Sequence, residues 1–349
     1  RRRGGSAPQK PAQADPPAAA VKGAKRAAMP GFVAPVLATL KAQPPAARGW
    51  VHEIKFDGYR LQAHVADGKT RLLTRGGLDW TAKFGKAIPA ALAALPVKQA
   101  ILDGELVVEG SGGASHFSAL QADLSEGRSD RFVFYLFDLI YLDGMDLRGA
   151  ALIERKAALR RLMENAGGSN GVLRLSEHFD ENGDMVLRHA CRLSLEGVVS
   201  KRAGSKYVSG RSRDWIKSKC SARQEMVIGG YVPSSTSDTA IGSLVLGHFE
   251  EGELVYAGRV GTGFSRAVAQ DLYRKLHAIE RPDSPFAGKL DADQRRQVRF
   301  VEPRLVAEVE LHDWTAEGLM RHAAFRGLRE DKPARDVVRE EPAGKPAAK

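Results

Sequence analysis

The segment Glu53-Ile54-Lys55-Phe56-Asp57-Gly58-Tyr59-Arg60 gathers an amine, two carboxylates and a guanidinium around Asp57-Gly58, a tight-turn signal. A strand entering from Trp50 would hold Lys55 rigidly at its end. A lysine amine attacks an electrophile only when neutral, and at an ordinary pKa of about 10.4 roughly one in a thousand is neutral at pH 7. Neighbouring cations or a metal can lower that pKa. Arg60 and lysines further along are candidates for that field. The octapeptide would equally make a solvated surface hairpin, so the rest of the chain has to decide.

Leu102-Asp103-Gly104-Glu105-Leu106-Val107-Val108 sets a carboxylate at the head of an apolar strand, where Glu105 can meet a ribose hydroxyl or a metal. Leu195-Glu196-Gly197-Val198-Val199-Ser200-Lys201 repeats the format. Two carboxylates entering buried strands suit Mg²⁺, which takes few carboxylates and keeps water and phosphate oxygens. In Trp215-Ile216-Lys217-Ser218-Lys219 the alternation points Lys217 and Lys219 the same way, as a phosphate requires. A solvated basic strand edge would look the same. Phe137, within Leu136-Phe137-Asp138-Leu139, can stack on a base or fill the core. Thr74-Arg75-Gly76-Gly77 offers Arg75 at a strand-end turn, and Phe325-Arg326-Gly327-Leu328-Arg329-Glu330-Asp331-Lys332 concentrates charge on a loop able to orient a leaving pyrophosphate.

Positioning these residues takes strands first. Strand patterns fall at residues 50–56, 60–65, 71–74, 100–108, 132–140 and 197–200, with helical patterns at 84–94, 152–163 and 183–193. Helices do not follow every strand, so a mixed α+β architecture fits better than a doubly wound sheet. Beyond residue 220 the texture changes. Strand patterns at 226–232, 243–250, 253–260 and 305–312, with one helix at 266–279, suit a small barrel of the OB type. Residues 1–28 and 339–349 lack periodic apolar positions and read as disordered linkers.

Composition bounds the rest. The 349 residues suffice for two domains, and 43% apolar content fits a globular chain. No apolar run is long enough for a membrane helix. Two cysteines, Cys191 and Cys220, are too few for a disulfide framework or a four-cysteine zinc module, and a reducing intracellular setting is the default. The net charge of +11 suggests a polyanionic partner, but residues 1–28 alone contribute +6, so local clusters must carry that reading.

Taken together and in this order, the segments resemble the covalent nucleotidyltransferase superfamily of ATP-dependent DNA ligases and mRNA capping enzymes. The pattern Lys-x-Asp-Gly-x-Arg is met by Lys55, Asp57, Gly58 and Arg60, and the six segments around Arg75, Glu105, Phe137, Glu196, Lys217 and Arg329 look like the motifs that follow it. The likeness runs from about residue 29 to residue 336. Phe137-Asp138-Leu139-Ile140-Tyr141-Leu142-Asp143-Gly144 and the segment Phe325 to Lys332 resemble the ligase domain of bacterial ligase D, used in non-homologous end joining.

That resemblance implies an α+β fold: an adenylation (nucleotidyltransferase) domain of mixed and antiparallel sheets at 29–220, then a β-barrel OB-fold domain at 221–338. It implies that Lys55 takes AMP from ATP, with Mg²⁺ or Mn²⁺ at Glu105 and Glu196. Lys217 and Lys219 would hold the α-phosphate. Phe137 would stack on adenine, with Glu53 and the Ile54 backbone at its edge. Arg60 and Arg75 would orient ribose and phosphates, and Arg329, Asp331 and Lys332 would serve self-adenylation after hinge closure near residues 218–224. The implied partners are DNA ends bearing 5′-phosphate and 3′-hydroxyl, Ku, and flanking polymerase and phosphoesterase modules, in bacterial cytoplasm at the nucleoid. Residues 1–28 are too polar to be expected to fold as a DNA-binding domain, so weak, salt-sensitive nick binding by the two-domain core is expected. RNA ligases and GTP-dependent capping enzymes are the rivals with shared chemistry, and a non-catalytic DNA scaffold is the rival without it. A P-loop enzyme is excluded, because Gly68-Lys69-Thr70 lacks the upstream glycine of that signature.

Overall fold

The computed structural model describes residues 21–110, 113–168, 171–221 and 223–340. The linkers expected at 1–20 and 341–349 lie outside these residues.

The first half is built on two sheets. In one, Lys25–Arg26, Met145–Asp146, Phe132–Leu142, Gln99–Val108, Tyr59–Ala66 and Lys69–Thr74 pair antiparallel in that spatial order, and Leu173–Leu175 joins Phe132–Leu142 in parallel. In the other, the order is His178–Phe179, Trp50–Lys55, Gly197–Arg202, Gly210–Lys219 and Val36–Leu40, the last pair parallel. The helices Ala87–Ala93, Phe117–Ser125 and Leu152–Asn165 cover the outer face of the first sheet over a core that includes Leu61, Leu102, Phe134 and Leu159. Between the sheets lies a second core of Val36, Val51, Ile101, Phe137, Ile140 and Trp215. Covered on both faces, Phe132–Leu142 is buried along nearly its whole length and reads as an apolar run, whereas Tyr59–Ala66, buried almost as fully, alternates apolar residues with Arg60, Gln62 and His64.

The second half is a curled sheet. Arg223–Pro233 pairs Val306–Glu310 along its first residues and Arg299–Val301 further on, with a register shift between Ile228 and Gly230. Such a shift bends the strand and lets the sheet wrap. Ile241–Glu250 and Glu253–Val260 extend one edge, and Ala324–Leu328 extends the other. The helix Arg266–His277, N-capped by Ser265, plugs one side through Ala269, Leu272 and Leu276. The OB-type expectation is met.

Several expectations are revised. Residues 21–28, read as linker, are ordered: Val21 is buried and Lys25–Arg26 pairs with Met145–Asp146. The helix expected at 84–94 is split into a short 3₁₀ turn, Thr81–Phe84, and Ala87–Ala93. The helix Phe117–Ser125 was not anticipated; it is short and its start has no side-chain cap. Cys191 and Cys220 are joined as a disulfide between the helix Gly183–Arg192 and the chain leaving Gly210–Lys219. No helix among the described residues is long and apolar enough to cross a membrane.

Candidate functional site

Strand register brings the distant motifs together. Lys55 pairs Gly197, and Gly197 pairs Lys219 on its other side; Val199 likewise sits between Glu53 and Lys217. In the other sheet, Arg60 pairs Glu105, which pairs Tyr135. The turn at Asp57-Gly58 is what joins the sheets here, and it tolerates no side chain at Gly58, where a Cβ would lie 2.1 Å from the Leu106 carbonyl oxygen. Gly197 is fixed for two reasons: its φ is +150°, and a Cβ would meet the Ser218 carbonyl oxygen at 2.2 Å. These contacts close a cleft lined by Glu53, Ile54, Lys55, Arg60, Arg75, Glu105, Phe137, Glu196, Lys217, Lys219 and Arg329. Every site residue expected from the sequence is in that lining except Asp331, which is bonded by Arg329, and Lys332, which bonds another lining residue, Glu225.

Lys55 Nζ lies 2.6 Å from Glu196 Oε2. Burial pulls the amine's pKa down, but Glu196, Glu105 and Asp57 outweigh it and the net direction is upward. This corrects the expectation of a cation field lowering it. Arg60 is turned away: Nε and Nη2 grip Asp103 at 3.0 and 2.6 Å, and Nη1 donates to the Val36 carbonyl at 2.6 Å. Lys55 is therefore an ammonium in a carboxylate cage, and a proton must leave before it can attack.

The acids are unequal. Burial pushes Glu105 up to about 8, so at neutral pH it carries a proton and can donate to a hydroxyl oxygen. Glu196 is held below its usual range, burial being outweighed by Lys55 and Lys219. Among the described residues, the carboxylates whose oxygens lie within 4.8 Å of one another are Asp57, Glu196 and Glu308. Glu105, expected to share a metal with Glu196, is not in that group. Arg223 already bridges it, with Nη1 2.5 Å from Asp57 and 3.9 Å from Glu308. Burial, with Glu196 and Glu308 nearby, raises Asp57 to about 6.

Opposite the acids stands a basic wall. Lys217 Nζ lies 2.5 Å and Lys219 Nζ 3.4 Å from the Glu340 carboxylate, so the two lysines face one carboxylate of the chain itself. Glu340, expected within a disordered tail, is instead anchored: its N–H donates to Gln224 Oε1 at 2.8 Å, and Gln224 Nε2 donates to the Val338 carbonyl at 3.1 Å. Burial is outweighed by Lys219 and Lys217, which hold Glu340 far below the usual carboxylate range. Burial likewise brings Lys217 down to about 8, and Lys332 to about 7 with Arg75 nearby. Arg329 reaches across from the barrel, gripping Asp331 at 3.0 Å through both Nε and Nη2 and lying 4.7 Å over the Phe117 ring. Arg75 is pulled down by burial and by Arg60 and Arg329 beside it.

At the far end sit Glu53 and Phe137. Phe137 is both core residue and lining, with the Arg60 guanidinium 5.3 Å from its centroid and Trp215 edge-on at 6.2 Å. Glu53 is buried between Lys156 at 2.9 Å and Lys201 at 2.9 Å. Sequence reasoning missed Lys156, Arg223, Glu308 and Glu340 as site residues. The first three sit on a helix and strands whose charged positions look like ordinary solvated faces. Glu340 follows the last pattern the sequence offers.

Comparison with known proteins bears on the whole of this arrangement. The family profile described as "ATP dependent DNA ligase domain" matches residues 35–219, and that described as "ATP dependent DNA ligase C terminal region" matches residues 237–332. A multifunctional non-homologous end joining protein LigD of Pseudomonas aeruginosa is 45% identical over 333 residues, covering 95% of this chain and 39% of that protein. The SPbeta prophage-derived DNA ligase-like protein LigB of Bacillus subtilis is 32% identical, covering 85% of this chain and 99% of that protein. Among solved structures, a mycobacterial DNA ligase D complexed with ATP and MES matches with a TM-score of 0.64 at 37% identity, covering 88% of this chain and 98% of that one. The chain spans about two fifths of the length of the LigD proteins it matches.

Proposed function

The chain belongs to the ATP-dependent DNA ligase family, and from that premise we propose that Lys55 carries AMP between ATP and a DNA 5′-phosphate to seal a strand break. The observation that carries the proposal is Lys55 at the floor of a cleft with Lys217 and Lys219 converging on a single anion position beside it. Lys55 Nζ attacks the α-phosphorus, a P–N bond forms, and the bond to pyrophosphate breaks. The lysine proton goes to an acceptor within reach, and Glu196 at 2.6 Å is placed to take it. A 5′-phosphate oxygen of DNA then attacks the lysyl-AMP phosphorus and releases the lysine. Finally the 3′-hydroxyl attacks the adenylated 5′-phosphate and AMP leaves. Each step is phosphoryl transfer, in which positioning and charge stabilisation do most of the catalysis.

In this reading Lys217 and Lys219 hold the α-phosphate, Phe137 stacks on adenine, and Glu53 with the Ile54 backbone meets its edge. Glu105, protonated, donates to a ribose oxygen, and Arg75 and Arg329 face the outer phosphates. Glu196, with Asp57 and Glu308, forms the carboxylate set that fits Mg²⁺ or Mn²⁺. Such an ion would add positive charge next to the α-phosphate. Residues 29–220 act as the adenylation domain and 221–338 as the OB domain, opening near 218–224 to admit DNA. The likeness to LigD supports a role in end joining, and Ku and flanking polymerase and phosphoesterase modules are the partners proposed with that role.

The test is intact mass after incubation with a divalent metal and either ATP or GTP. One AMP on the parent and none on Lys55→Ala is the expected result. GMP would move the assignment to capping, and no adduct on a chain free of AMP beforehand would reject the mechanism.

A further inference from the structure

The base end of the cleft carries a charge arrangement that the three transfer steps do not use. Glu53 is 2% exposed. Its Oε1 lies 2.9 Å from Lys156 Nζ; its Oε2 lies 2.9 Å from Lys201 Nζ and accepts from Ser176 Oγ at 3.0 Å. Lys156 also donates to the Ser176 carbonyl at 3.1 Å. Both lysines are buried, and four elements converge here: the helix Leu152–Asn165, the strand Gly197–Arg202, the chain just past Leu173–Leu175, and the strand His178–Phe179. His178 pairs with Glu53 and its pKa is held down by burial and Lys156, while burial brings Lys201 down to about 8.

A carboxylate offers about four acceptor positions. Three are taken, which leaves one on Oε1 of a residue that lines the cleft. Burial by itself would drive the carboxyl toward its neutral form. Lys156 and Lys201 outweigh burial and hold Glu53 below its usual range. Lys201 does further service, lying 4.3 Å from the Phe137 centroid and 4.2 Å from that of Trp215.

We propose that Lys156 and Lys201 are positioning residues that set purine specificity, by keeping Glu53 an acceptor-only carboxylate with one open position facing the base. The proposal rests on the reading of Glu53 as the residue that meets the base. A 6-amino purine brings an N–H to that position. A 6-oxo purine brings lone pairs against lone pairs and is refused. The discrimination depends on charge state, because a protonated Glu53 would own an O–H and could donate to a 6-oxo group. Removing one ammonium gives burial the upper hand and lets the proton in as pH falls.

The experiment compares kcat/KM for nucleotidylation of Lys55 by ATP and by inosine triphosphate, at pH 6, 7 and 8, on the full chain. Inosine differs from adenosine at the 6-position and lacks the 2-amino group that would complicate guanosine. In the parent, the ATP-to-inosine ratio should be high and flat with pH. In Lys156→Met it should fall about tenfold or more at pH 6 and recover toward pH 8, as Glu53 ionises again. Lys156→Arg, which keeps the charge, should behave as the parent. A Lys156→Met variant that loses both activities in equal proportion at every pH, or that keeps the parental ratio, overturns the proposal: the lysine would then be a brace only. If Lys156→Met does not fold, Ser176→Ala weakens the same carboxylate and must give a smaller fall at pH 6, and an unchanged ratio there counts against the proposal. Glu53→Gln separates the two levels. An unchanged ratio in Glu53→Gln means the base is not read by Glu53. A collapsed ratio there, with Lys156→Met unaltered, means the base is read but the clamp does not set its specificity.

Discussion

Lys217 shows how one side chain's surroundings set its working range. Burial brings its pKa down to about 8, so its charge is present below that pH and is lost as pH rises through it. A phosphate site built on Lys217 should therefore weaken upward in pH: KM for ATP in self-adenylation should rise several-fold between pH 7 and pH 9. Lys217→Arg keeps its charge over that range and should flatten the profile; a steep rise that persists in the variant would place the titration elsewhere. Arg155 illustrates the structural counterpart. It is fully buried, grips Asp138 at 2.7 and 2.9 Å, and donates to the Ala150 and Ser205 carbonyls. Truncation to Ala leaves a buried carboxylate without its partner, for which the cost is about 3–5 kcal/mol. Urea unfolding of Arg155→Ala should report a loss of that size.

At the scale of elements, the helix Phe117–Ser125 and the strand Ala324–Leu328 form the latch between the two halves. Gln121 donates to the Leu328 carbonyl and accepts from the Leu328 N–H at 3.1 Å, and this fixes Arg329 one residue later over the Phe117 ring. Arg329 lines the cleft in this arrangement, and an opening near residues 218–224 as proposed would carry it away. The latch should matter where ATP's outer phosphates are handled and not once AMP is on DNA. Gln121→Ala removes both hydrogen bonds to Leu328 and a longer one to the Tyr59 hydroxyl, each worth at most about 0.5–1.5 kcal/mol. Its self-adenylation rate should drop about tenfold, while sealing of a pre-adenylated nick in single turnover stays close to parental. Equal losses in both assays would mean that the latch serves the whole cycle. Limited proteolysis near residues 218–224, with and without ATP, reads the same motion, and identical cutting would count against it.

The whole molecule presents its phosphate site already holding an anion of its own. Glu340, anchored through Gln224, puts a carboxylate between Lys217 and Lys219, where the α-phosphate is expected. If Lys217 and Lys219 hold the α-phosphate as proposed, both cannot sit there, and the end of the described chain would compete with ATP. Glu340→Gln should lower KM for ATP by about tenfold, the loss of one charge-assisted contact of roughly 1.5 kcal/mol or a little less. An unchanged KM would mean that this segment leaves without measurable cost. Charge at this scale also sets DNA binding. With most of the net charge near the chain's beginning, nick affinity should fall steeply with salt, and a flat response would contradict a phosphate-dominated interface.

Much of this could be read from the linear chain. Lys55 ends its strand, Glu196 immediately precedes the next, and Lys217 and Lys219 alternate, so period-2 geometry fixes which way they point without help from the rest of the fold; Glu105, read as the head of a strand, lies instead inside Gln99–Val108. The core strand Phe132–Leu142 was visible for a different reason, since burial on both faces favours an apolar run. The tertiary structure alone decided the charge states. Lys55 is raised rather than lowered because the register sets Glu196 at 2.6 Å while Arg60 spends its fork on Asp103, a residue 43 positions away. It alone decided the partners of Glu53, the bridge of Arg223 to Asp57 and the docking of Glu340, 121 residues beyond Lys219. Electrostatic interactions depend on distance and burial, and neither is set by separation along the chain.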